Sequence, residues 1–136
     1  MKKRIGKFFI CFCIILGCFA GCGKSNLYTI RLPDAENLSS VSVVSLSRYD
    51  ETKIFSDTET MEEIYHVFQG RETKQESRYD NPVDAVELYA VTFENADEAV
   101  RIYIYRRDNK YYIEQPYNGI YKIQEAEFKT IRSLMG

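Results

Sequence analysis

Every cysteine in this 136-residue chain lies within its first 22 positions, at Cys11, Cys13, Cys18 and Cys22. Beyond Cys22 there is no thiol, so that stretch has no disulfide to staple it, no thiolate zinc site and no cysteine nucleophile. Whatever it folds into is held by an apolar core. Its length suits one domain of ordinary size and is too short for two.

The segment holding the cysteines obeys different rules. Met1-Lys2-Lys3-Arg4-Ile5-Gly6-Lys7 carries four basic side chains and no acid, an apolar run follows, and small residues lead into Cys22. Basic, apolar, then small-before-cysteine is the order of an export signal. The apolar stretch at 8–20 is shorter than the roughly 20 residues a spanning helix needs, so a permanent transmembrane anchor is not expected. Phe19-Ala20-Gly21-Cys22 resembles the lipobox of bacterial lipoproteins, with Phe19 where that family more often has Leu. The resemblance implies a diacylglycerol group on the Cys22 thiol and cleavage just before it. The expected organisation is a signal peptide at 1–21, a lipidated cysteine and short tether at 22–27, and a single domain at 28–136. Ile15-Leu16-Gly17-Cys18 is a second box, which would make Cys18 the modified residue. The expected location is the outer face of the cell membrane, held there by lipid.

Charge narrows the partners. The whole chain has 18 basic and 20 acidic residues; loss of Lys2, Lys3, Arg4 and Lys7 leaves 14 against 20, about −6. Such a surface is repelled by a phosphate backbone, so nucleic acid is not an expected partner.

Period-2 alternation at Tyr28-Thr29-Ile30-Arg31-Leu32 predicts a strand, and β-branched residues at 41–46 predict another, returning at Thr52-Lys53-Ile54-Phe55. A helix is expected next. Ser56, Asp57 and Thr58 are candidate caps, Met61, Ile64, Tyr65 and Phe68 form one stripe, and Gly70 suits its end. Residues 71–82 are polar and aperiodic, which reads as a mobile connection. Alternation resumes at 83–94, returns at 100–105 and again at 111–114, with hairpins at Asn95-Ala96-Asp97-Glu98 and Arg107-Asp108-Asn109-Lys110. Pro116-Tyr117-Asn118-Gly119 is a turn in which Asn118 is the expected left-handed residue. A short strand at 120–123 and a last helix bearing Phe128, Ile131 and Leu134 or Met135 complete the chain. The order β-β-β-α-β-β-β-(β)-α predicts an α+β fold, antiparallel sheet with two helices on one face.

Few residues point to chemistry. His66 is the sole histidine and lacks the second histidine of a zinc-hydrolase helix. Asp80, Asp84 and Glu87 flank Pro82 without the spacing or glycine of a calcium loop. No phosphate loop or nucleophile elbow is present. The expectations are accordingly no catalytic residue, no metal, no cofactor and no enzymatic activity, with a carboxylate-dependent hydrolase as the weakest alternative. Tyrosine is what stands out. If Ile102 and Ile104 face the helices, Tyr103 and Tyr105 cover the other face. Tyr103, Tyr105, Tyr112 and Tyr117 are the candidate interaction surface, since amphipathic aromatics enrich at interfaces. High strand propensity alone is the competing explanation.

The segment Tyr111-Tyr112-Ile113-Glu114-Gln115-Pro116-Tyr117-Asn118-Gly119-Ile120-Tyr121-Lys122-Ile123, with Tyr28-Thr29-Ile30-Arg31-Leu32-Pro33, resembles small uncharacterised lipoproteins of Gram-positive bacteria that carry one domain of unknown function. The resemblance implies lipoprotein status and a single α+β domain, and supplies no catalytic residues. The expected role is a non-enzymatic module that binds an envelope protein or peptide, or alternatively a small envelope ligand as a sensory accessory.

Overall fold

The structure, a computed structural model, describes residues 26–48 and 51–136. The proposed leader at 1–21 and both candidate lipidation sites, Cys18 and Cys22, lie outside these residues.

Among the described residues eight strands and two α-helices, with a 3-10 turn at Ala35–Asn37, follow in the order β1 (Tyr28–Thr29), β2 (Ser40–Ser45), β3 (Thr52–Phe55), α1 (Thr58–Phe68), β4 (Glu72–Thr73), β5 (Glu87–Glu94), β6 (Ala99–Arg107), β7 (Lys110–Glu114), β8 (Ile120–Ile123) and α2 (Glu125–Leu134). Six of the strands form one antiparallel sheet in the order β3-β2-β5-β6-β7-β8, and β1 pairs with β4 in a small second sheet. This is the expected α+β architecture, with both helices on one face.

Side-chain alternation divides the main sheet. Val41 and Val43 of β2, Tyr89, Val91 and Phe93 of β5, Ile102 and Ile104 of β6, and Ile113 of β7 share a core with Ile64 and Phe68 of α1 and Phe128 and Ile131 of α2. Phe68 meets Phe93 edge-on with ring centres 5.4 Å apart, and Phe128 lies 4.9 Å from Tyr111. Burying each such ring contributes on the order of 1.5–3 kcal/mol, which is how a thiol-free domain holds together.

The helix boundaries follow local chemistry. The Asp57 carboxylate accepts from the Thr60 amide and caps α1, while Gly70 takes φ +70° just beyond its last turn. Asp108 and Asn109 carry the β6–β7 hairpin with φ values of 52° and 59°, the pair of left-handed residues a two-residue loop requires.

Three expectations are corrected. The first strand is confined to Tyr28–Thr29. Beyond it the side-chain amide of Gln115, rather than a strand partner, accepts from the Arg31 amide at 2.9 Å and donates to the Arg31 carbonyl at 2.8 Å. The segment 71–82 is no free connection. It forms β4 and then, with 83–86, a strap across the sheet face opposite the helices. In the last turn Tyr117, not Asn118, is left-handed, with φ 57°. The Asn118 amide donates to the Gln115 carbonyl at 3.0 Å, so the turn runs from Gln115 to Asn118 with Pro116 and Tyr117 at its centre.

Candidate interaction site under and beside the strap

Tyr103 and Tyr105 occupy the sheet face that alternation predicts, away from the helices, but they are not exposed. Tyr103 is 5% accessible and Tyr105 is fully buried, grouped with Ala90 and flanked by Val44, Ala85, Leu88 and Tyr112. The tyrosine surface is therefore corrected at these two positions. The strap covers them, and its Asn81 satisfies one of the two hydroxyls: Tyr103 donates to Asn81 Oδ1 at 2.8 Å. Tyr112 is half-buried, stacked on Tyr105 with ring centres 5.5 Å apart. Of the four candidates only Tyr117 stays well exposed, at 67%.

The strap is fastened at several points. The Ile120 amide donates to the Gln75 carbonyl and the Ser77 amide to the Asn118 carbonyl, at 2.9 and 3.1 Å. Glu76 bridges Gly119, and the Val86 amide returns to the Arg106 carbonyl. Gly119 permits this approach because a Cβ there would lie 2.7 Å from Thr73 Cγ2 and 2.9 Å from the Tyr121 ring.

Beneath the strap sits Glu114, 2% accessible. Its Oε2 accepts from Ser77 Oγ at 2.8 Å and its Oε1 from the Tyr105 hydroxyl at 3.0 Å. Burial, then the neighbouring Glu114 charge, pushes the Tyr105 hydroxyl far above its ordinary range, so it stays a donor. Arg107 lies over the Tyr112 and Tyr105 rings at 5.1 and 5.7 Å and donates to the Val83 carbonyl. At the rim, Tyr117 donates to Asp80 at 2.5 Å, a bond that raises its own pKa. Tyr79, Val83 and Val86 add exposed apolar surface along the strap. Tyr79 lies where the sequence has no periodicity to read, whereas Val83 and Val86 were expected in a strand over 83–94; that strand begins only at Glu87, and both valines belong to the strap.

The other expected groups are scattered. His66 is exposed on α1. Asp80 bonds Tyr117, while Glu87 is held by Arg132 at 2.7 Å and Arg106 at 3.4 Å. Among the described residues no group of three or more His, Cys, Asp or Glu could hold a metal, and no helix is long and apolar enough to cross a membrane.

A six-stranded antiparallel sheet with two helices on one face and a polar strap on the other defines a small α+β domain. The chain belongs to the DUF5301 family, described as a domain of unknown function (DUF5300), which matches residues 26–122. It is also similar to the protein from Ruminococcus gnavus whose NMR structure is solved, at 32% identity and TM-score 0.59, over 73% of this chain and 98% of that one. No curated protein matches it.

Proposed function

We propose that this domain is a lipid-anchored extracytoplasmic module, without enzymatic activity of its own, that docks an envelope protein or peptide through the strap and the adjoining turn. The observation that carries the reading is the grouping of Tyr79, Val83 and Tyr117, exposed at 61%, 48% and 67%, on chain that is fastened from below. Val83 is tied through its carbonyl to Arg107, and Tyr117 through its hydroxyl to Asp80. Aromatic side chains already held in place lose little freedom on binding, which is what interface anchors need. Tyr117 also sits in a left-handed conformation that costs a residue of its bulk on the order of 1–2 kcal/mol. Such strain at an exposed tyrosine is consistent with selection for its display.

Attachment rests on the leader and on Cys22, with Cys18 as the alternative. Radiolabelled fatty acid should enter the wild type and not Cys22→Ala; loss of label in Cys18→Ala alone would move the anchor to the upstream box. Docking is tested by a photoactivatable residue placed at position 79 or at Glu62 on the opposite side, followed by irradiation of living cells. One envelope protein captured reproducibly from 79 and not from 62 supports the reading. Equal capture from both positions, or none from either, removes it.

A further inference from the structure

The strap, Arg107 and Glu114 enclose a hollow of about 260 Å3, lined also by Tyr79, Val83 and the Glu76–Arg78 pair. Two opposite charges line it without meeting. Glu114 accepts only from the neutral hydroxyls of Ser77 and Tyr105, and no cation comes within ion-pair distance among the described residues. A carboxylate so deeply buried is normally paired with a cation, because neutral donors offset only part of its lost hydration. Arg107 gives one N–H to the Val83 carbonyl and likewise forms no ion pair there. Five N–H donors on the guanidinium and two lone pairs on each carboxylate oxygen leave both groups with unused capacity.

The larger hollow at the end of α2, about 380 Å3, makes the contrast. It too is lined by carboxylates, Glu51 and Glu87, and by arginines, Arg48 and Arg132, but there Arg132 grips Glu87 with two bonds, at 2.7 and 3.1 Å. There the buried end of the carboxylate is already neutralised by a cation, which is what Glu114 lacks.

We infer that the hollow under the strap binds a small zwitterion of the amino-acid class, its ammonium group on Glu114 and its carboxylate on Arg107. A ligand carrying both charges completes both groups at once. One carrying a single charge leaves the other uncompensated, and charge-assisted bonds of this kind are the strong ones. The volume is enough for the charged groups of a single amino acid. The hollow shares Tyr79 and Val83 with the docking patch, but a titration that reads Arg107 and Glu114 has no partner protein present, so its failure leaves the photocrosslinking result standing.

The test is an NMR titration of the full-length chain in detergent, isotope-labelled at arginine and glutamate, with glycine, L-alanine and L-lysine against ethylamine and acetate. At least one zwitterion should give saturable shifts at Arg107 and Glu114, binding about tenfold or more tighter than either single-charge compound. Arg107→Gln, at a half-exposed position, should keep the fold and weaken that binding about tenfold. Glu114→Gln should do the same where it folds. Absence of saturable shifts, equal binding of ethylamine or acetate, or unchanged affinity in Arg107→Gln would overturn the assignment.

Discussion

Ser77 donates its hydroxyl to the buried carboxylate of Glu114 at 2.8 Å, across 37 positions of sequence. That bond joins the strap to the sheet face it covers. Removing it with Ser77→Ala leaves one carboxylate oxygen without its donor, which costs about 1–3 kcal/mol. Urea denaturation should show the loss, and limited proteolysis should find the strap cut sooner.

Two buried tyrosines on opposite faces make a matched pair. The Tyr105 hydroxyl serves Glu114, whereas the Tyr121 hydroxyl is buried with no partner among the described residues. Tyr105→Phe should therefore destabilise by about 1–3 kcal/mol, while Tyr121→Phe should be neutral or stabilising, since the phenyl ring removes an unsatisfied group. Thermal unfolding of the two variants side by side checks the opposite signs.

Gly119→Ala should be the most disruptive glycine change in the domain. The added methyl meets the Thr73 side chain and the Tyr121 ring inside van der Waals contact, an overpacking that costs about 1–3 kcal/mol. Gly70 sits in open space, and Gly70→Asn, which tolerates the left-handed conformation, should cost far less. Melting temperatures of both variants test the order.

Alkaline pH should weaken the fold through the same tyrosines. Burial pushes the Tyr121 hydroxyl from its ordinary 10.0 up to about 12, and Tyr105 moves in the same direction. A raised pKa means the folded state holds its proton more tightly than the unfolded chain. The resulting stability is fully present below pH 10 and is lost as pH rises through about 12. Unfolding curves measured across that window should fall less steeply for Tyr121→Phe than for the wild type.

What the sequence made legible was local. The α1 stripe, its Asp57 cap and the Asp108-Asn109 hairpin need only neighbouring residues, and alternation correctly assigned Tyr103 and Tyr105 to the face away from the helices. What covers that face was not legible. Ser77, Asn81 and Asp80 find Glu114, Tyr103 and Tyr117 from far along the chain, and no periodicity announces such bonds. The turn was misplaced by one residue for a similar reason. Gly119 is used for its close approach to Thr73 and Tyr121, so the turn itself closes one position earlier, on Tyr117.

Amide hydrogen exchange of the strap tests the central claim most directly. The amides of Ser77, Val86 and Ile120 are bonded to Asn118, Arg106 and Gln75 carbonyls. They should be protected well above the amide of Lys74, an exposed residue, approaching the values of the β5–β6 ladder. Exchange of all three at the rate of a free chain, with β6 still protected, would mean a strap that does not stay docked. Tyr103 and Tyr105 would then be open to solvent, and the binding surface would lie on the sheet instead.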